Sequence, residues 1–136
     1  MPIARMLETY AAAVAAKDAE AFMHLYDANV RVFDAWECFS YEGAPARQAV
    51  VRSWFDSLGE ETVRVTFDET QVSQVQELAL VSCIVTYTNA SAQGQAQRSL
   101  QNRITWAMRL DSNPRIIHEH TSAPIGFGAM KAILKR

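Results

Sequence analysis

The feature that most limits how this sequence can fold is a change of hydrophobic period at Gly59. Before it, apolar residues mostly recur at three and four, with one short alternating stretch; after it, they alternate. Ile3, Met6, Leu7, Tyr10 and Val14 lie in an alanine-rich stretch, which predicts a helix over residues 3–16. Lys17-Asp18 interrupts the pattern. Asp18 suits the N-cap of a second helix, on which Phe22, Leu25 and Tyr26 share a face. Residues 29–34 (NVRVFD) read as a strand, with a short return at Phe39-Ser40-Tyr41. Gly43-Ala44-Pro45 opens a third helix, because proline is tolerated in a first turn. Its buried stripe is Val51, Trp54, Phe55 and Leu58, and Gly59 suits its stop.

Beyond Gly59 the pattern is that of strands. Val63, Val65 and Phe67 alternate with Arg64, Thr66 and Asp68. Residues 78–88 (LALVSCIVTYT) are apolar on both faces and predict a central strand. After a turn at residues 91–94, Leu100, Ile104, Trp106, Met108 and Leu110 alternate with Gln101, Arg103, Thr105 and Arg109. A second turn at residues 111–114 leads to a last strand over 115–121, and the tail after Pro124 reads as a short helix or an extended arm. Helices first and strands later define an α+β chain: a cone made of a strongly curved, mainly antiparallel sheet wrapped over three N-terminal helices, with one internal pocket.

The 136 residues make a single domain over 1–136. With 49% apolar and 21% charged residues, the chain has the composition of a folded globule rather than a disordered segment. A net charge of −2 offers no basic field for nucleic acid. No apolar run approaches the roughly 18 residues of a membrane span. The start, MPIARMLETY, has no continuous apolar core of the kind that directs secretion. Cys38 and Cys83 do not form a disulfide framework, and Cys83 reads as a small core residue. The expectation is a reduced, cytoplasmic protein.

Two stretches carry a resemblance. One is TYAAAVAAKDAEAFMHLYDANVRVFD, followed by the G-x-P-A opening of the third helix. The other is RITWAMRLDSNPRIIHEHTSAP, which closes on His118, His120, Ser122 and Pro124. Together they resemble the nuclear transport factor 2-like superfamily, and within it the SnoaL-like and ketosteroid-isomerase-related domains. The final strand is also similar to the calcium/calmodulin-dependent protein kinase II association domain. The resemblance implies a cone fold and cofactor-free chemistry or none. It places Tyr10 at the helix-1 tyrosine and Asp34 at the general base of the isomerases, and it puts Trp106 where they carry a protonated aspartate. It implies a small apolar or weakly acidic ligand, with isomerisation, cyclisation or dehydration as the chemistry. The alternative is a non-catalytic binding or oligomerisation module.

The residues themselves carry part of this reading. Asp34 continues the apolar face of Val30 and Val32, an unusual place for a carboxylate unless it borders a cavity. Against this stands a plain turn cap beside Trp36. Tyr10 lies on the apolar stripe of its helix, either as a core ring with a satisfied hydroxyl or as a pocket donor. Trp106 and Met108 share the inward face of their strand, and Trp54 reads first as core. His118 and His120 fall on one face of the last strand and Glu119 on the other, and alternation leaves open which face points inward. The ligand-contacting candidates are therefore Trp36, Trp54, Trp106, Met108, Glu119, His120 and Arg103. No metal site is expected, since a third ligand for the histidine pair would have to be as remote as His24. Arg103 reads as part of a polar outer face or as an anion clamp. That face, with Ser99, Gln101 and Thr105, suits a homodimer.

Overall fold

The computed structural model describes residues 2–136. Three helices precede the long strands: α1 (Pro2–Ala16), α2 (Ala19–Met23) and, after β1 (Tyr26–Phe33) and β2 (Tyr41–Glu42), α3 (Ala44–Ser57). Four more strands follow, β3 (Thr62–Val75), β4 (Leu78–Ala90), β5 (Ala96–Arg109) and β6 (Arg115–Ser122), and the chain closes with β7 (Ile125–Gly126) and β8 (Lys131–Ala132). The main sheet runs β2-β1-β6-β5-β4-β3. Its neighbours are antiparallel except β1 and β6, which are parallel. This is the predicted α+β cone, and the sheet does not close on itself.

Local chemistry explains the element ends. The Asp18 carboxylate accepts a hydrogen bond from the Ala21 amide at 3.0 Å and caps α2 as expected. Gly59, at φ +58°, takes the left-handed conformation just past α3, which glycine adopts without steric cost. The predicted second helix proves too long. It ends at Met23, and Tyr26 belongs to β1 rather than to a helical face. The tail also departs from expectation: instead of a helix or an arm it forms the small β7–β8 hairpin.

The inner face of the sheet and the helices enclose one core. Tyr10, Val14, Phe22, Val30, Val32, Val51, Val63, Val81, Trp106, Met108 and Ile116 are all essentially inaccessible. The Tyr10 ring centroid lies 4.8 Å from Phe22, 5.5 Å from Phe67 and 5.8 Å from Trp106. On the outer face, Leu78 and Leu80 of β4 stay exposed. The double-sided apolar pattern of 78–88 therefore marks a central strand whose outer face is left open at Leu78 and Leu80.

The inward face of β6 is set by a bulge. Met108 pairs with Ile116 and Ala107 with His118, which leaves Ile117 as the extra residue. Two positions an odd number of residues apart, Ile116 and Glu119, thereby both face the core, and both are fully buried. His118 and His120 are left on the outer side.

Candidate functional site

The buried end of the cone is built around a carboxylate. Glu119 of β6 is 0% exposed. Its Oε1 accepts from the Tyr26 hydroxyl at 2.6 Å and the Trp106 indole N–H at 2.9 Å, and its Oε2 from Arg47 Nη2 at 2.9 Å. A buried charge is tolerated only when paired and hydrogen-bonded, and Glu119 meets both conditions. The same guanidinium turns its other terminal nitrogen, Nη1, toward Asp34 Oδ2 at 3.7 Å. Asp34 Oδ1 accepts from the Thr121 hydroxyl at 2.9 Å, and Thr121 Oγ1 in turn accepts from the Ala35 amide at 2.8 Å. One cation thus serves two carboxylates, tightly at Glu119 and loosely at Asp34.

Neighbouring hydroxyls stay neutral. Burial, then the adjacent Tyr87, holds Tyr10 well above the usual phenol range; burial, then Glu119, does the same for Tyr26. Desolvation works against the Arg47 charge, yet Glu119, Tyr26, Tyr10 and Asp34 together keep it firmly protonated.

The predicted residues fall into separate environments. Tyr10, Trp106 and Met108 lie in the core, where Tyr10 shares a 2.7 Å hydrogen bond with the Tyr87 hydroxyl and Trp106 donates to Glu119. Trp54 is half-buried against Phe55 and Tyr87. Asp34, Trp36 and His120 come together elsewhere, in a cleft of about 580 Å³ between the loop after β1 and the outer surface of β1 and β6, with Arg31, Phe33 and Phe39. Phe33 stands at the centre of that surface: Arg31 lies over its ring at 4.6 Å, and His118 and His120 meet it edge-on at 5.1 and 5.5 Å. His118 Nδ1 donates to the Arg31 carbonyl at 2.8 Å. Arg103 is exposed and donates to Ser122. Asp34, whose side chain is 13% exposed, joins the two environments: one flank meets Arg47 and Thr121, the other the cleft.

Sequence reasoning missed Arg47, Tyr26 and Thr121. Arg47 had a readable signal, since it stands at i, i+4 and i+8 with Val51 and Phe55 on the buried stripe of α3. A charge on an apolar stripe is as unusual as Asp34 on an apolar strand face. Thr121 follows from Glu119 by alternation once the inward face is known. Tyr26 carried no such signal while it was counted as helical.

The match of the SnoaL-like domain model to residues 3–126 shows that the chain belongs to the SnoaL-like domain family. Solved structures share its nuclear transport factor 2-like fold. A nuclear transport factor 2-like protein of unknown function from Pseudomonas putida KT2440 superposes with a TM-score of 0.84 at 20% identity, over 99% of this chain and 93% of that one. A Xanthomonas campestris protein assigned to the calcium/calmodulin-dependent protein kinase II association domain gives 0.75 at 16% identity, over 90% and 86%. A nuclear transport factor 2-like protein with a cystatin-like fold from Novosphingobium aromaticivorans gives 0.75 at 15%, over 94% and 83%. No protein of curated function matches the sequence. Among the described residues, no helix is long and apolar enough to cross a membrane.

Proposed function

We propose that this protein binds a small, largely apolar molecule in the cleft beside Asp34, and that Asp34 acts there as a general base on a proton next to a carbonyl. The observation that carries this reading is the division of labour at the Asp34 carboxylate. Oδ1 is held by Thr121, while Oδ2 has only the long contact to Arg47, on a residue that borders an aromatic-lined cleft. A fixed carboxylate with one oxygen free of hydrogen bonds is equipped to accept a proton. Phe33, Trp36 and Phe39 offer ring faces to an apolar body, and His120 and Arg31 offer donors to its carbonyl. Isomerisation, cyclisation and dehydration all begin with that proton transfer, and none needs a cofactor. Tyr10, whose hydroxyl is engaged with Tyr87 in the core, serves packing in this reading.

The test is amide chemical-shift mapping with a panel of aryl and cyclic ketones. The expected result is perturbation of residues 33–40 and His120. Perturbation confined to other surfaces, or none with any ketone, contradicts the reading.

The second reading is assembly without chemistry. Exposed Val75, Leu78 and Leu80 on the outer face favour it, as does the likeness to the association-domain protein. Pairing of two copies through that face, beside Gln101, Arg103 and Thr105, is compatible with ligand binding and belongs to the proposal; so does a cytoplasmic location. Sedimentation at micromolar concentration is expected to show a dimer, and a monomer alone would remove the pairing.

A further inference from the structure

Asp34 does not stand alone. Its charge is linked to a fully buried carboxylate through one guanidinium. Arg47 Nη2 reaches Glu119 at 2.9 Å and Nη1 reaches Asp34 at 3.7 Å. Two further donors, the Tyr26 hydroxyl and the Trp106 indole, converge on Glu119 Oε1, whereas Asp34 has the Thr121 hydroxyl. Two carboxylates and one guanidinium leave one negative charge uncompensated, and the shorter pairing puts that surplus on Asp34. We propose that Glu119 and Arg47 are positioning residues for Asp34: Glu119 draws the guanidinium toward itself and so fixes how readily Asp34 takes up a proton. The inference rests on the reading of Asp34 as the proton acceptor, and it adds residues that never touch the ligand.

Glu119 and Asp34 compete for one guanidinium. Opposite charge within a few ångströms favours an ionised carboxylate and like charge disfavours it. Glu119 acts on Asp34 both ways, by repulsion and by holding Arg47 at a distance. Anything that weakens Glu119 as a partner releases Arg47 to Asp34. Anything that removes a competing donor from Glu119 strengthens its hold on Arg47. Other charged or titratable groups lie around Asp34: His120 of β6, Glu37 and Cys38 of its own loop line the same cleft, and Tyr41 of β2 and Tyr87 of β4 feel its charge. They are unchanged in the variants below, so the comparison isolates the Glu119–Arg47 pair.

The experiment is carboxyl-carbon NMR titration of Asp34 in the intact chain, without ligand. Glu119→Gln keeps the shape and removes the charge, and it is expected to move the Asp34 protonation midpoint down by about one pH unit. Tyr26→Phe removes a donor from Glu119 and is expected to move it up, by about 0.3 unit. A merely structural role would not give shifts of opposite sign. Shifts in the same direction, or no shift in either variant, overturn the proposal. Should Glu119→Gln fail to fold, Tyr26→Phe decides alone: an upward shift supports the coupling and its absence overturns it. Opposite shifts combined with a functionally silent Asp34→Asn would leave the coupling standing and reject general-base chemistry.

Discussion

The β3–β4–β5 half of the sheet and the β2–β1–β6 half rest on different physics. The first is built from long antiparallel strands joined by short turns, and its pairing runs from Thr62↔Ala90 to Val75↔Leu78 and on to Leu78↔Arg109. Its buried inward positions are apolar apart from Asn102, so burial does most to fix its register. The second joins distant segments, Tyr26 to Ile116 and Phe33 to His120, in parallel and across a bulge. There the core holds Glu119, Arg47, Thr121 and the edge of Asp34, and hydrogen bonds and charge balance must be right as well as shape. The half with simple packing thus supports the half that holds the buried charge network.

Substitutions should separate the two halves sharply. The largest loss is expected where the ion pair is cut. Arg47→Met leaves Glu119 buried and unpaired and should cost about 3–5 kcal/mol in urea unfolding, with part of it recovered when Glu119→Leu is added. A change confined to local packing in the β3–β5 half, Val85→Ala, should cost less, about 1–3 kcal/mol. Equal losses would erase the contrast. Next comes the Tyr10–Tyr87 hydroxyl pair. Either single change to Phe strands a buried hydroxyl and should cost about 1–2 kcal/mol, while the double change should cost less than the two singles combined.

The smallest effect belongs to the surface. The Asn29 amide, then Arg109, holds the Asp27 carboxyl below its usual range. A carboxylate depressed in the folded state adds stability above the unfolded value, and that stability is lost as pH falls through the folded one. Asp27→Asn should therefore lower the urea midpoint slightly at neutral pH. The gap to wild type should close as pH falls below the usual carboxylate range.

The same contrast decides what could be read in the sequence. The β3–β5 strands and α1 announce themselves through their periods, because each buries one continuous apolar face. Asp34 could be singled out, since a carboxylate extends the face of Val30 and Val32. Glu119 was placed opposite His118 and His120, yet its inward direction depends on the bulge at Ile117, and two adjacent isoleucines give no sign of which is the extra residue. The pairing of Glu119 with Arg47 joins positions 72 residues apart, and no local pattern encodes that. Tyr26 was hidden by a boundary error, because the short α2 passes into β1 with no glycine or proline between them.

The central claim is that Asp34 takes a proton from a molecule bound in the cleft. The most direct test is solvent hydrogen–deuterium exchange at the α-carbon of a ketone that the mapping experiment identifies, comparing wild type with Asp34→Asn. The account predicts accelerated exchange with wild type and a loss of about 10²–10⁴-fold in the variant, at nearly unchanged ketone affinity. Exchange by Asp34→Asn at the wild-type rate would contradict it.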